Sequence, residues 1–288
     1  MSLLDQLKAR PQYLLPTHPL SRLIHAITRC RQPAVKDWLI RQFLRLYRVD
    51  MSEAVVSSPT DYESFNALFS RELKPDSRPV VNGERQLASP VDGTVSQMGA
   101  IAAGRIIQAK GHHYSVDALL GSAAWAAPFR NGHFATLYLA PYNYHRIHMP
   151  IDGSLQRMLY IPGRLFSVNR ATAEVIPGLF ARNERVACLF ETPIGPVALV
   201  LVGALFVGSI ETVWGGEITP PHHHWKRQWR YGAGQPHGEV TLERGAELGR
   251  FNMGSTVIVL LPPGAQQWGE ALTLGAPIRM GELLATRG

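Results

Sequence analysis

The sequence predicts an α+β fold, with a basic, amphipathic helical N-terminal region (residues 1–75) and a β-rich, sandwich- or barrel-like domain (residues 76–288). The first region carries apolar residues at helical spacing, whereas the second consists of short apolar runs separated by glycine and proline. The segment KPDSRP, residues 74–79, is rich in turn-forming residues and marks the boundary. Because strands do not alternate regularly with long helices, we do not expect a doubly wound parallel sheet.

Three helices are predicted in the N-terminal region. In the third of them, Phe65, Leu68 and Phe69 share one face, and either Ser58 or Asp61 could cap the first turn. The predicted helices cover residues 20–28, 35–49 and 61–71.

Five apolar runs in the second region have the length and β-branched content that are typical of strands. The longest nearly apolar run, residues 197–208, contains two glycines and is shorter than the ~20 residues that a transmembrane helix needs. We therefore interpret it as a buried strand with a bend. The predicted strands cover residues 134–140, 155–161, 186–190, 197–207 and 256–261.

The composition limits the classes of protein to consider. A chain of 288 residues with 45% hydrophobic content can form one large domain or two modest ones. Two cysteines, Cys30 and Cys188, are too few for a disulfide framework or a four-thiolate zinc site, which favours a reducing compartment. The first residues lack the basic head, apolar core and cleavage site of a signal peptide, so the cytoplasm is the default location.

The positive charge is concentrated at the N-terminus, where the first 50 residues carry nine Lys or Arg and three Asp of a chain with net charge +7. Arg41, Arg45 and Arg48 form one basic stripe beside apolar side chains on the predicted second helix. Such a helix suits an anionic membrane surface, where each basic residue contributes about 1 kcal/mol. It equally suits a helix packed on its own domain with a solvated arginine face. Since the remaining chain is nearly neutral, we expect no binding to nucleic acid.

Two short segments carry acid or base groups. The segment SPVDG, residues 89–93, places Asp92 in a turn, where its carboxylate could simply cap the backbone. The segment YHRIH, residues 144–148, offers His145 and His148 for acid–base chemistry or for a structural role. No third ligand has the spacing of a zinc site, so no metal is expected.

A third segment, MGST at residues 253–256, offers a nucleophile. Ser255 could attack the carbonyl of Gly254 if a base removed its proton and the turn were strained. The same tripeptide also occurs in ordinary turns. The triple histidine at residues 222–224 could bind a metal adventitiously or mark a solvated loop.

Taken together, these segments resemble the phosphatidylserine decarboxylase family, in its bacterial form with a Gly-Ser-Thr processing motif. The resemblance runs in order through residues 12–262, and its specificity comes from the ensemble of motifs. Met253 departs from the commonest form of the motif, which has leucine. The matching stretches are FNALFSREL (65–73), SPVDG (89–93), QAKGHHYS (108–115), YHRIHMP (144–150), IPGRLFSVN (161–169), FARNERV (180–186), VGALFVGSIETVWGGEI (202–218) and GRFNMGSTV (249–257).

The resemblance implies a proenzyme that cuts itself between Gly254 and Ser255. The self-cleavage triad of the family falls on Asp92, His148 and Ser255, in which Asp92 orients His148 and His148 takes the proton of Ser255. Ser255 then attacks the carbonyl of Gly254 to give an ester, and elimination releases the Gly254 carboxylate and leaves a dehydroalanine. The imine tautomer of this residue takes up water and loses ammonia, which leaves a pyruvoyl group in place of Ser255.

Cleavage would produce a β chain, residues 1–254, and an α chain, residues 255–288. The resemblance implies that the two chains remain associated as a heterodimer, and it leaves open a dimer of these heterodimers.

The implied reaction is the decarboxylation of phosphatidylserine to phosphatidylethanolamine and carbon dioxide through a Schiff base with the pyruvoyl group. That group would act as the electron sink, a role usually given to pyridoxal phosphate, so neither this cofactor nor a metal is expected. His145 is the candidate proton donor. Lys110, Arg164, Ser167 and Asn169 lie in matching segments and are the candidate substrate-binding residues.

The resemblance also implies a peripheral protein on the cytoplasmic side of the cell membrane, because the acyl chains of phosphatidylserine stay in the bilayer. Two alternatives remain open from the residues alone. One is a non-enzymatic carrier of the lipoyl-like or phosphocarrier type. The other is a serine hydrolase that uses Ser255, although the Gly-x-Ser-x-Gly elbow is missing.

Overall fold

The computed structural model describes residues 3–206, 209–253, 255–264 and 266–288. Helices dominate the N-terminal part and antiparallel strands dominate the remainder, so the α+β prediction is confirmed. None of the helices in these ranges is long and apolar enough to cross a membrane.

Helices α2 and α3 lie where the sequence predicts them, α1 was not predicted, and the predicted third helix is much shorter than expected. Its cap is Ser64 rather than Ser58 or Asp61, because the Ser64 hydroxyl accepts a hydrogen bond from the Ala67 N–H at 3.1 Å. Short helices beyond residue 75 were not predicted. The described α-helices are α1 (Leu3–Ala9), α2 (Thr17–Thr28), α3 (Pro33–Leu46), α4 (Phe65–Phe69), α5 (Val116–Leu120), α6 (Ala123–Ala126), α7 (Arg170–Val175) and α8 (Leu179–Arg182).

All five predicted strands are present, and the apolar run that was predicted to bend leaves its strand at Val202. The described strands are β1 (Gln86–Ala88), β2 (Gly93–Ala100), β3 (Arg105–Ala109), β4 (His112–Ser115), β5 (His133–Leu139), β6 (Arg146–His148), β7 (Gly153–Ile161), β8 (Arg185–Thr192), β9 (Gly195–Val202), β10 (Ile210–Thr212), β11 (Gly216–Thr219), β12 (Arg227–Arg230), β13 (Thr241–Leu242), β14 (Glu247–Phe251), β15 (Ser255–Leu261), β16 (Gln266–Trp268), β17 (Pro277–Ile278) and β18 (Leu283–Arg287).

Within the described residues, nine strands form the main antiparallel sheet, in the order β12-β7-β8-β9-β15-β5-β2-β17, with β13 also paired to β7. A four-stranded sheet has the order β11-β10-β14-β6, a three-stranded sheet has the order β1-β18-β16, and β3 pairs with β4. Strand β15 is buried along its whole length between β9 and β5. Its continuous apolar sequence suits a strand that is covered on both faces.

The N-terminal helices pack against the β-rich part at two places. Helix α1 contacts α7, and Ala9 belongs to the main hydrophobic core. Helices α3 and α4 form a smaller core of their own around Ile40, Phe43 and Leu68. Met253 packs against both cores, so the segment before Ser255 lies where they meet.

The chain crosses from one sheet to the other just before Ser255. Strand β14 pairs with β6 in the four-stranded sheet and ends at Phe251, whose N–H donates to the carbonyl of His145 at 3.0 Å. Strand β15 begins in the main sheet, where Ser255 pairs with Leu139. Four Cα steps separate Phe251 from Ser255, which limits their Cα separation to about 15 Å. This short crossing brings the histidine segment and the serine strand into one region.

Candidate active site

Ser255 is fully buried, and its hydroxyl oxygen makes no hydrogen bond within the described part of the chain. A buried hydroxyl without a partner is costly, and such groups are rare away from functional sites. Gly254, the other residue of the predicted cleavage site, lies outside the described residues. Ser255 therefore has an unpaired nucleophilic atom at the position that the sequence singles out.

The backbone before Ser255 is strained and firmly held. Met253 has a φ of 123°, in the left-handed region that favours glycine. The residue before it, Asn252, donates its backbone N–H to the Ser209 carbonyl at 3.1 Å and accepts from the Asn66 side chain at 3.0 Å. These two hydrogen bonds of Asn252 could not be predicted, since Asn66 and Ser209 are distant from it along the chain.

His148 is held as a neutral base. Its Nδ1 lies 2.7 Å from the carbonyl oxygen of Gly245, which can only accept, so Nδ1 carries the proton. Its Nε2 then accepts a hydrogen bond from the Tyr144 hydroxyl at 3.0 Å. Burial is the main cause that lowers the pKa of His148, and it favours the same neutral form. The ring presents Nε2 as its basic atom.

Asp92 lies close to His148, but no hydrogen bond joins the two side chains. The carboxylate accepts two hydrogen bonds from Arg78, at 2.9 and 2.6 Å, and one from the backbone N–H of Met280 at 2.8 Å. The link to His148 is indirect, because the His148 N–H donates to the Pro90 carbonyl at 2.8 Å and the Asp92 charge acts on the pKa of His148. The role of Asp92 as the residue that orients His148 stays a prediction.

Arg78 is the partner of Asp92 that the sequence analysis missed, since it lies in the predicted linker. It also donates to Glu53 at 2.8 Å, and its side chain is only 7% exposed. Burial alone would lower the pKa of Arg78, but the hydrogen bonds with Asp92 and Glu53 outweigh burial and raise that pKa. The guanidinium therefore stays charged and fixes the Asp92 carboxylate in one orientation.

His145 is completely buried, and its ring packs against Phe69 in a tilted arrangement with a centroid separation of 4.1 Å. Its Nδ1 donates to the Asn143 carbonyl at 2.8 Å, while Nε2 has no partner within the described residues. Burial lowers the pKa of His145 to about 3. In this uncleaved chain the ring is neutral, and Nε2 must accept a proton before it can donate one.

Arg71 is a buried cation beside these histidines that the sequence analysis also missed. One of its terminal nitrogens donates to the Tyr142 carbonyl at 3.3 Å, whereas Nε and Nη1 have no partner within the described residues. Burial lowers the pKa of Arg71, and its positive charge in turn lowers the pKa of His145. Two free, buried N–H donors suit an anionic group of a substrate.

A largely apolar cavity of about 230 Å³ lies beside Met253. Two of the four predicted substrate-binding residues, Ser167 and Asn169, line this cavity. Asn169 also caps α7, because its side-chain oxygen accepts from the Thr172 N–H at 3.0 Å. Among the described residues, the lining is Phe43, Tyr47, Phe69, Tyr138, Leu139, Pro141, Ser167, Val168, Asn169, Ala204, Leu205, Phe206 and Met253.

The other two predicted substrate-binding residues lie in different cavities. Lys110 forms an ion pair with Glu174 at 2.5 Å beside the strand β2. Arg164 donates to the carbonyl of Tyr13 at 2.9 Å and lines a cavity that also contains His18. The structure therefore does not bring the four residues together, and only two of them share the cavity next to Met253.

Comparisons with known proteins show the family to which the chain belongs. A sequence profile described as Phosphatidylserine decarboxylase matches residues 65–286, and a second profile, described as PSD, matches residues 7–48. The chain is 52% identical to the phosphatidylserine decarboxylase proenzyme of Bordetella avium over 286 residues, which cover 99% of this chain and 96% of that protein. This chain belongs to the phosphatidylserine decarboxylase family.

Two further relatives carry the same name. The phosphatidylserine decarboxylase proenzyme of Ectopseudomonas mendocina is 55% identical over 274 residues, with 95% of each chain covered. That of Bordetella pertussis is 53% identical over 282 residues, covering 98% of this chain and 94% of that protein. Membership of the decarboxylase family confirms the predicted resemblance and makes this chain an enzyme that is processed from a precursor.

Proposed function

We propose that this chain cuts itself between Gly254 and Ser255 and then decarboxylates phosphatidylserine to phosphatidylethanolamine. The observation that carries the proposal is the buried Ser255 hydroxyl without a partner, directly after a segment in which Met253 is strained. The printed names of the relatives describe proenzymes of this activity, which supports the same reaction here.

In the proposed cleavage, Ser255 is the nucleophile and His148 is the base. The neutral ring of His148 offers Nε2, which already accepts a hydrogen bond from Tyr144 and could take a proton in its place. Asp92 is held rigidly by Arg78 and supplies a negative charge that favours the protonated form of His148. The strain at Met253 would be released when the nearby Gly254–Ser255 bond breaks.

The surroundings of Ser255 suit a pyruvoyl group at the start of β15. The group would begin a fully buried strand, next to a cavity that contains Ser167 and near the unpaired Nε2 of His145. A pyruvoyl group supplies a ketone that condenses with the substrate amine and accepts the electrons released when carbon dioxide leaves. His145 would accept a proton at Nε2 and return it to the substrate carbon, in a site that excludes water.

In this proposal, Arg71 and the apolar cavity bind different parts of the substrate. The two free N–H groups of Arg71 would bind an anionic group of the phosphoserine headgroup. The cavity between Phe43, Tyr47 and Phe206 would receive the apolar part of the lipid nearest the headgroup. Phe43 and Tyr47 extend from the α3 segment, so the lipid would enter beside this helix.

The exposed face of α3 is suited to the membrane surface. Trp38 and Leu46 are 55% and 74% exposed, and Arg41 and Arg45 are exposed on the same helix. Exposed apolar side chains next to arginines match the composition of helices that lie in an anionic lipid interface. We infer that α3 holds the enzyme on the membrane with the cavity facing the lipid.

Replacement of the nucleophile tests the proposed self-cleavage. The Ser255→Ala variant should remain a single chain on a denaturing gel and should have no decarboxylase activity. Ser21→Ala is a matched control that should be cleaved normally, because Ser21 on α2 is also fully buried, with a hydroxyl unpaired among the described residues, but lies outside the site. Cleavage of Ser255→Ala at the normal rate would refute the proposal.

A further inference from the structure

A cluster of three metal-ligating side chains lies away from Ser255. His18 comes from the start of α2, Glu184 directly precedes β8, and His222 lies in the loop after β11. One potential ligand atom from each residue lies within 4.8 Å of the others. The rings of His18 and His222 also lie 4.8 Å apart between their centroids. Three distant segments of the chain therefore converge on one point.

Each of the two histidines has one ring nitrogen engaged and one free. His18 Nε2 lies 2.9 Å from the Gly163 carbonyl oxygen, which can only accept, so the proton is on Nε2. His222 Nδ1 lies 2.8 Å from Glu184 and donates to its carboxylate. His18 Nδ1 and His222 Nε2 have no partner within the described residues, although both atoms are buried.

These contacts are the ones that orient metal-binding histidines. Such histidines donate their second N–H to a carboxylate or a backbone carbonyl, which fixes the ring and makes the free nitrogen a better ligand. The side chain of His222 is only 7% exposed and that of Glu184 only 1% exposed. The Tyr160 hydroxyl also donates to Glu184, at 2.5 Å, which holds the carboxylate in place.

We propose that His18 and His222 bind a divalent transition-metal ion of the Zn²⁺ class through His18 Nδ1 and His222 Nε2, with Glu184 as their acidic partner. Imidazole nitrogens are common zinc ligands, and a carboxylate that accepts the other N–H of such a histidine, as Glu184 does for His222, orients the ring without binding the ion itself. Both histidines line a cavity of about 630 Å³, so water can occupy the remaining coordination positions. The bound ion would tie α2 to the loop that carries His222.

The neighbouring charges set the expected strength of binding. Arg22, Arg164 and Arg182 line the same cavity, and their positive charge opposes a cation. Arg164 is held by the Tyr13 carbonyl, and Arg182 lies over the Tyr13 ring at 5.3 Å. The negative charge of Glu184 offsets part of this repulsion. We therefore expect weaker binding than at a zinc site with four protein ligands.

The loop itself provides a matched control. His224 is exposed and lines the same cavity, but it does not belong to the cluster. His223 already accepts a hydrogen bond from Arg227 at 2.9 Å, so its Nε2 is occupied. A metal that binds adventitiously to the exposed histidine loop would depend on His224, whereas the proposed site depends on His18 and His222.

The test is calorimetric titration of Zn²⁺ into the processed, tag-free enzyme. We expect one equivalent to bind, at least ~10-fold weaker binding in His18→Gln and His222→Ala, and unchanged binding in His224→Ala. The extent of self-cleavage reports whether each variant folds. If His222→Ala does not fold, zinc binding by His18→Gln alone tests the proposed site.

Any one of three results would overturn the proposed metal site. The native enzyme could fail to bind zinc, both His18→Gln and His222→Ala could bind zinc as tightly as the native enzyme, or His224→Ala could lose binding. Heat released on titration of inorganic phosphate, with none from zinc, would instead assign the cavity to an anion.

Discussion

At the scale of single residues, the site combines buried polar groups that are firmly held with others that have no partner. His148 and Asp92 are fixed by Gly245 and Arg78, whereas the Ser255 hydroxyl and the His145 Nε2 have no partner within the described residues. Rigid supports reduce the reorganisation that a reaction requires, and unpaired groups are free to take part in it.

The pH dependence of self-cleavage follows from the state of His148. A base must be neutral to act, and burial lowers the pKa of His148 below the ordinary value of 6.5. Cleavage should therefore keep more than half of its maximal rate at pH 6.5 and should fall to half only in more acidic solution. The appearance of the small chain after rapid pH adjustment of newly synthesised precursor measures this rate. A rate that already falls by half near pH 6.5 would contradict the proposed state of His148.

Arg78 should contribute strongly to stability through Asp92. Arg78→Gln leaves a buried carboxylate without its charged partner, which typically costs about 3–5 kcal/mol in the free energy of unfolding. Urea unfolding in an uncleaved Ser255→Ala background measures the change. Arg130→Gln is the control, since its ion pair with Asp117 is about half exposed and should be worth less than about 1 kcal/mol. Equal losses in the two variants would contradict the assigned role of Arg78.

Arg71 should act on substrate binding. Arg71→Lys keeps the charge but removes the forked donors, and the loss of a charged hydrogen bond of about 1.5–3 kcal/mol corresponds to a KM raised roughly 10- to 100-fold. The kcat should change much less. Steady-state kinetics on mixed micelles of phosphatidylserine measure both constants. Arg157→Lys, an exposed change on β7, is the control, and an unchanged KM in Arg71→Lys would refute the role of Arg71.

The sequence offered candidate residues for the chemistry, but it did not show their contacts. The family resemblance offered Asp92, His148 and Ser255 as acid, base and nucleophile, and these roles stay predictions. The motifs did not reveal that Arg78 binds Asp92 or that Arg71 is buried without full pairing, because both facts depend on how distant segments pack. A linker arginine ordinarily lies in solvent, and only the folded chain shows that Arg78 does not.

At the scale of elements, strands were predicted more accurately than short helices. Strands β9 and β15 contain continuous apolar runs, and burial on both faces makes such runs easy to recognise. Helices of four to six residues, such as α6 and α7, are too short to show a helical period. The order of strands in the sheets depends on long-range pairing and could not be predicted from local pattern.

Helix α3 is the element that should control membrane binding. Removal of two charges in Arg41→Gln/Arg45→Gln should weaken binding to phosphatidylserine vesicles by about 2 kcal/mol, or roughly 30-fold. Co-sedimentation at low salt measures the effect, which should shrink as salt screens the charges. The double variant Arg105→Gln/Arg157→Gln removes two exposed arginines from the β-rich part and should bind normally. Equal binding by both double variants would show that α3 does not contact the membrane.

At the scale of the whole molecule, the proposed cleavage divides the chain without dividing its core. Strand β15 would begin the small chain, but it lies between β9 and β5, which belong to the large chain. The small chain would also supply β18, which pairs with β1. These buried pairings explain why the two products should remain a heterodimer.

The domain boundary that the sequence predicts near residue 75 stays a prediction, since α1 packs against α7 across it.

The intact mass of the freshly purified, active and tag-free enzyme under denaturing conditions is the most direct test of the central claim. We expect two polypeptides, residues 1–254 and residues 255–288, and we expect the smaller one to weigh one ammonia less than its sequence with an N-terminal serine. An active sample that consists of one continuous chain, or whose small chain begins with an unmodified serine, would contradict the account.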